Sequence, residues 1–327
     1  MSARPGKQAP REAEALEALN ALEPTTERSA QLAAVRNALQ HRAFHLVAKA
    51  ATLAGERSLH ECVPELLSAF PRFLDNAVKR DPNCIAKKAI ARALVELECH
   101  DTDFFLEGIR YVQREPVWGG TADTAVDIRC SCALGLANAG YARAVAELTI
   151  LLNDPEARAR IGAARAIACA DPREAEVLLR FKALSGDREP EVIGECFSGL
   201  LAVAPQECLA FVAKYLADED PAIQEYAALA LGESRQPAAL EYLRAAWDAQ
   251  CITSDARQTL VRAAALHRSE AAFEWLLSLI EHGQQAHADC AVEALSVYER
   301  NSKLIERVRA ALAKRSPDGN QSVLSSS

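Results

Sequence analysis

Asp220-Pro-Ala-Ile-Gln-Glu-Tyr-Ala-Ala-Leu-Ala-Leu-Gly232 reads as one complete helix with both ends marked. Asp220 can cap the N-terminus with its carboxylate. Pro221 suits the first helical position, where its missing N–H would be unbonded anyway. Ile223, Ala227, Ala228, Ala230 and Leu231 share one face of a 3.6-residue period. Alanines there let a neighbouring helix approach closely, and Gly232 stands where a helix tends to end.

The same pattern recurs along the 327 residues. The first buried positions of successive second helices are Ala86, Ile128, Ala159, Val192, Ile223, Ala256 and His287, in steps of 42, 31, 33, 31, 33 and 31. Matching core pairs follow: Ala93-Leu94, Gly135-Leu136, Ala166-Ile167, Gly199-Leu200, Ala230-Leu231, Ala264-Ala265 and Ala294-Leu295. One such unit cannot hide its apolar face alone, so a period near 30 residues implies stacked helix pairs. The expected pairs are 26–39 with 41–54, 60–77 with 83–97, 103–113 with 124–138, and 143–152 with 156–169. They continue as 173–184 with 191–203, 206–216 with 222–232, 238–249 with 255–266, and 271–282 with 287–298. Thr25 or Thr26 is the expected cap of the first. A closing helix, 303–314, caps the array. Residues 1–10 read as a polar tail and 11–22 as a short amphipathic helix packing as a lid, so 1–24 stand outside an array spanning 25–315. The Ser-rich residues 316–327 read as a disordered tail.

Composition agrees. Half the residues are apolar but only 6% aromatic, and Ala and Leu dominate, which favours helices over a sheet-rich core. The net charge of −8 lies wholly in the second half: residues 1–165 hold 21 basic and 21 acidic side chains, residues 166–327 hold 16 and 24. That balance argues against a nucleic-acid partner. No leader-like apolar segment opens the chain and no apolar run nears 18 residues, so the expectation is a cytoplasmic protein with no membrane association. The ten Cys lie at helical positions where other repeats carry Ala or Val, with no Cys-x-x-Cys pair, and read as reduced, mostly buried thiols.

The pattern Asp-Pro-x-x-Val-Arg-x-x-Ala-Ala-x-Ala-Leu-Gly underlies these helices. Residues 154–168 fit it with Arg160 at the Arg position, residues 220–232 with Gln224 there, and Asp81-Pro82 with Lys87. Arg129 and Arg257 occupy that position in their repeats, while Ile193 and Ala288 depart from it, so the polar ladder should break in the fifth and eighth units. This pattern resembles the HEAT repeat in the short form typed by the phycobilin-lyase-like proteins, over about residues 25–315. The resemblance implies an all-α, armadillo-like, right-handed α-solenoid of about eight helix pairs with a C-terminal capping helix. It is nearly silent on function, because such scaffolds host many roles.

In such solenoids the second helices usually line the concave face. Residues four apart share a face, giving outward pairs Lys88/Arg92, Cys130/Leu134, Ile161/Arg165, Gly194/Ser198, Glu225/Leu229, Gln258/Arg262 and Asp289/Glu293. The stripe runs from basic through partly apolar to acidic, which suits a bipolar elongated protein or peptide segment. The expected contact residues are Arg92, Leu134, Ile161, Arg165, Glu225, Tyr226, Leu229, Arg262 and Glu293. The 42-residue step marks an insertion, residues 115–123, whose Trp118 either tucks against its own helix pair or meets a partner.

Chemistry is harder to find. No phosphate loop or nucleophile elbow occurs. Cys130 and Cys132 should point apart, which is poor for zinc. The deoxyhypusine hydroxylases, a HEAT family, bind iron through repeated His-Glu pairs, but His60-Glu61 is the only such pair here. His60 reads instead as a residue that helps solvate or cap a helix start. HEAT-like DNA glycosylases would need a basic channel with aromatic stacking groups; Lys87, Lys88, Arg92, Arg129, Arg160 and Arg165 supply charge but no aromatics interleave. Chromophore attachment or transfer, as in phycobilin lyases, maps to no residue. The expectation is a scaffold or adaptor without catalytic, cofactor or metal residues.

Overall fold

The computed structural model describes residues 8–249 and 254–315. Among them, α-helices, short 3-10 turns and one two-stranded hairpin make up the regular structure. They form two compact units, divided between Glu174 and Ala175.

The first unit begins with α1 (Gln8–Asn20), α2 (Arg28–Leu39) and α3 (Phe44–Glu56). A broken outer segment follows, α4 (Val63–Ala69) and α5 (Ala77–Arg80), then the long α6 (Ile85–Glu96). Next come α7 (Thr102–Gly108), the strands β1 (Arg114–Val117) and β2 (Gly120–Asp123), and α8 (Val126–Asn138). The helices α9 (Ala144–Leu151) and α10 (Ala157–Ile167) complete this stack. Helices α3, α6, α8 and α10 lie side by side in that order, and each of α2, α4, α7 and α9 packs against the longer helix that follows it in its pair.

The second unit repeats the scheme. Helix α11 (Pro172–Ser185) has its first residues before the division. After it come α12 (Pro190–Val203), α13 (Pro205–Ala213), α14 (Pro221–Ser234), α15 (Pro237–Trp247), α16 (Ser254–His267), α17 (Glu270–His282) and α18 (Gln285–Ser296). Helices α12, α14, α16 and α18 adjoin in sequence, and the last helix, α19 (Ser302–Lys314), packs on α17 and α18. Each unit is a stack of helix pairs, as the period leads one to expect, with one β-hairpin added in the first.

The element bounds depart from expectation where proline or a turn intervenes. Residues 60–77 do not form one helix: Pro71 lies in a 3-10 turn, Phe70–Phe73, between α4 and α5. Helix α7 stops at Gly108 rather than 113, and the chain turns into the hairpin. Residues 8–10, read as tail, belong to α1, whereas 1–7 and 316–327 fall outside the described residues. Neither Thr25 nor Thr26 caps α2, which starts at Arg28; the Thr26 hydroxyl instead accepts the Glu23 N–H at 2.9 Å. Asp220 does cap α14, accepting the Ala222 N–H at 2.9 Å.

The core is built on small side chains. Ala227, Ala228, Ala230 and Leu231 are buried on α14. A Cβ at Gly232 would stand 2.2 Å from the Ala263 carbonyl oxygen of α16, so only glycine allows this approach. Helical dispersion contacts at that spacing are numerous enough to hold two such helices without large apolar residues.

Polar side chains at the Arg position tie neighbouring turns together. In the first unit Arg129 Nη1 donates to Asp123 Oδ2 at 2.7 Å and to the Tyr111 carbonyl at 2.9 Å. The same guanidinium reaches Asp154 of the following repeat, with Nε 3.0 Å from Oδ2. Arg160 Nη1 donates to the carbonyls of Asp154 and Pro155 at 2.8 and 3.0 Å. In the second unit Gln224 does the same to the Asp218 carbonyl at 2.5 Å, whereas Ile193 and Ala288 are apolar and buried. Burial works against ionisation of Asp123, but the Ala125 N–H and Arg129 outweigh it and hold its carboxyl below the ordinary range.

Two stability predictions follow from this packing. Leu231→Ala, at a fully buried position, should cost ~2–5 kcal/mol; an unchanged melting temperature would show the register to be wrong. Arg129→Ala leaves the buried Asp123 carboxylate without its cation and should cost about 3–5 kcal/mol at neutral pH. Because the folded pKa of Asp123 is depressed, its contribution is complete above the unfolded value of about 3.9 and is lost as pH falls through the folded value. Urea melts from pH 7 downward should therefore show the gap between the parent and Arg129→Ala narrowing only in acid.

Candidate partner interface

The insertion is a β-hairpin, and its physical basis is visible in the sequence from 111 to 124. Val117 pairs with Gly120, leaving Trp118 and Gly119 as the turn. Gly119 has φ +87°, a conformation that glycine adopts without strain. The strand bases are fixed by buried polar groups. Glu115 Oε1 accepts from the Asn83 N–H at 2.7 Å, Gln113 Nε2 at 2.8 Å and Thr124 Oγ1 at 2.6 Å. Gln113 Nε2 also donates to the Asp81 carbonyl at 3.1 Å, and Tyr111 O–H donates to Gln113 Oε1 at 2.7 Å. Beneath them Lys87 and Asp81, both fully buried, pair at 2.9 Å, with Tyr111 over the ammonium at 5.7 Å. Burial raises the pKa of Glu115, but its three donors and Lys87 more than reverse this and keep it below the usual carboxylate range. Burial pushes Tyr111 up to about 12.

The start of α6 explains why this network exists. Asn83 and Cys84 are left-handed, φ 57° and 54°, which delays the helix to Ile85. The Asp81 carboxylate therefore reaches Ala86 N–H at 2.8 Å and Lys87 N–H at 3.1 Å, instead of the residues directly after Pro82. The freed Asn83 N–H is then available to Glu115.

On this base Trp118 projects fully into solvent, at 103% relative exposure. It does not tuck against its helix pair. Val117 beside it and Val112 at the hairpin base are also exposed. An indole hides roughly 150–250 Å² when buried, worth about 4–6 kcal/mol at 25 cal/mol per Å². That burial is absent in the chain itself.

The expected contact residues on the second helices separate into three groups. Arg92, Arg165, Glu225, Arg262 and Glu293 are exposed. Leu134, Tyr226 and Leu229 are half-buried; Tyr226 covers Gly194, which was expected to face outward. Ile161 is a correction: it is only 6% exposed and cannot serve as a surface contact. Helix α10 approaches α8 so closely that Cys130 sits against Gly162, drawing position 161 into the seam. Cys130 likewise lies in that seam, with Sγ donating to the Arg158 carbonyl at 3.3 Å, rather than facing outward. Cys132 is buried on the other side against Gly108, so the two thiols diverge; burial pushes Cys130 up to about 11 and Cys132 higher.

The early basic stripe is largely neutralised from within. Lys88 and Arg158 pair with Asp127 at 3.4 and 2.7 Å, and Arg92 with Glu96 at 2.7 Å. Trp247 and Trp275 pack edge to face at 5.9 Å. The His-Glu pair is structural: Glu61 accepts from Arg28 at 2.8 Å, which with the backbone lowers its pKa to about 2, and His60 Nδ1 lies 3.2 Å from the Leu97 carbonyl. His60 thus meets the end of α6 and does not cap its own helix. No group of three or more His, Cys, Asp or Glu could hold a metal ion among the described residues. Nor is any described helix long and apolar enough to cross a membrane.

One exposed apolar surface escaped the sequence reading. Val177, Phe181 and Leu184 of α11 are 64–70% exposed, opposite the buried Ala175, Leu179 and Ala183. The signal was present as apolar residues on both faces of one helix, at 175/179/183 and 177/181/184.

A family model described as HEAT repeats matches residues 177–251. No curated protein matches the sequence. Among solved structures the chain is similar to the complex of CpcE and CpcF of phycocyanin lyase from Nostoc sp. PCC7120, at 15% identity over 97% of this chain and 98% of that one, TM-score 0.36. Human deoxyhypusine hydroxylase in complex with glycerol is 14% identical over 90% of this chain and all of that one (100%), TM-score 0.26. The karyopherin Kap121p, bound to the extreme C-terminus of the protein phosphatase Cdc14p, is 8% identical over 86% of this chain and 46% of that one, TM-score 0.32. The chain contains HEAT repeats, matched within residues 177–251.

Proposed function

We propose that this protein is a non-catalytic scaffold or adaptor that binds another protein, and that the Trp118 hairpin is one of its contact elements. The observation that carries this reading is a fully exposed indole on a turn whose base is wired by buried hydrogen bonds. A flexible loop would lose much of its binding free energy in ordering; a fixed hairpin avoids that cost. Tryptophan is enriched among the few residues that carry most of the binding energy at protein interfaces. The exposed α11 stripe offers a second apolar surface of the kind partners cover.

In the first unit exposed Arg92 and Arg165 with half-buried Leu134, and in the second exposed Glu225, Arg262 and Glu293 with half-buried Tyr226 and Leu229, are proposed as further protein contacts. Internal neutralisation of Lys88, Arg92 and Arg129 supports a protein partner over a polyanionic nucleic acid.

Affinity purification with the parent chain and with Trp118→Ala tests the hairpin. Trp118 touches nothing that stabilises the fold, so the melting temperature should stay within about 0.5 kcal/mol of the parent in free-energy terms, while a direct partner should be lost or weakened by ~2–4 kcal/mol. An identical set of partners and affinities would remove the hairpin from the interface. Arg165→Glu and Glu293→Lys should each weaken the same complex by ~1–3 kcal/mol, more at low salt; indifference to both would remove the charged stripe.

A further inference from the structure

Between α2, the Phe70–Phe73 turn and α5 lies a cavity of about 450 Å³ lined by His41, Arg42, Arg72, Phe73 and Arg80. Its size falls within the range of small-ligand sites. Three guanidinium groups reach it from three separate stretches of chain. We propose that this cavity binds a phosphate monoester.

The charge balance is the first argument. Arg72 is held by neutral acceptors: Nε donates to the Ala69 carbonyl at 3.3 Å, Nη1 to Gln40 at 3.0 Å, and Nη2 to Leu39. The Leu39 and Gln40 carbonyls end α2 and the Ala69 carbonyl ends α4, and each helix C-terminus offsets at most about half a charge. Burial lowers the pKa of Arg72, as expected of a cation drawn from water without a carboxylate beside it. Arg80 pairs with Asp75 at 3.1 Å and donates to the Arg72 carbonyl at 3.3 Å. Arg42 is exposed and makes no ion pair among the described residues. Three arginines against one aspartate leave a surplus near two positive charges, before any proton on His41. Lys87, whose ammonium donates to the Phe73 carbonyl, is already matched by Asp81.

Donor geometry is the second argument. His41 Nδ1 accepts the Ala43 N–H at 3.1 Å, which leaves the proton of a neutral ring on Nε2 as a donor. Arg72 spends three of its five N–H groups on carbonyls, so two remain. A carboxylate has two oxygens in one plane and one negative charge. A phosphate monoester carries close to two charges at neutral pH and three terminal oxygens arranged tetrahedrally. The latter matches both the surplus charge and a set of donors arriving from three directions. The remaining volume and the Phe73 ring leave room for the ester's carbon chain.

Calorimetric titration of the full chain tests this, with inorganic phosphate, free phosphoserine, a phosphoserine peptide and the same peptide unphosphorylated. Arg42→Glu is the informative variant, because the Arg42 side chain makes no hydrogen bond or ion pair among the described residues; Arg309→Glu, an exposed arginine on α19, is the charge-matched control. Phosphoserine should bind the parent and the Arg309→Glu chain alike, and weaken by roughly tenfold or more in Arg42→Glu, the loss expected for a hydrogen bond between charged groups. Binding by free phosphoserine and peptide together assigns the site to the phosphate ester itself. Binding by the phosphopeptide alone assigns it to a phosphorylated protein segment. Absence of binding by every phosphorylated probe overturns the proposal, as does equal weakening in the two variants or equal affinity for the unphosphorylated peptide.

Discussion

Backbone-to-backbone approach between successive second helices is the constraint from which the other features follow. Within each unit these helices lie in one row, and the distance between neighbours is set by what stands at the contact. At Gly232 that is a hydrogen atom facing the Ala263 carbonyl oxygen. At Gly162 and Gly194 the side chains of Cys130 and Tyr226 come down onto bare backbone. Such spacing favours alanine at these contacts and admits a larger side chain such as Tyr226 only where glycine stands opposite it. It also accounts for a chain that is half apolar yet poor in aromatics.

Close backbones create an electrostatic demand as well as a steric one. Turns between repeats leave carbonyls and helix-starting N–H groups near the interior, and each needs a partner. Arg129 meets this in the first unit by joining Tyr111, Asp123 and Asp154, so one side chain fixes the end of a hairpin and the start of the next repeat. Where Lys87 replaces arginine, the shorter head group stays with Asp81, and the delayed start of α6 frees an N–H for Glu115. The hairpin that presents Trp118 is therefore a by-product of how one repeat satisfies its polar groups. Rigidity at its base and exposure at its tip have the same origin.

Most of the helical array was legible because period and end signals are local. Asp220 and Pro221 mark the start of their helix in the sequence as they do in the structure, whereas Gly232 does not end it: α14 runs on to Ser234 and closes at left-handed Arg235, and the glycine serves the contact with α16 instead. The helix bounds failed at Pro71 and at Gly108, where the chain leaves the repeat and neighbours decide its path. For surface residues the reading was weaker. A spacing of four places Arg92, Arg165, Arg262 and Glu293 correctly outside, yet it also placed Ile161 and Gly194 there, and both are buried. Helical periodicity says which residues share a face. It does not say how much of that face an adjoining helix covers.

The order of residues by itself determined that helix pairs would form and that they must stack, because alternating apolar faces at a fixed period cannot be hidden singly. Tertiary structure alone decided which exposed groups come together. Trp118 is thrown outward by a network joining residues from 81 to 124, and Arg42, Arg72 and Arg80 meet around one cavity across nearly forty residues of chain. Such groupings depend on the angle and separation between packed helices, and those are fixed by contacts distant in sequence.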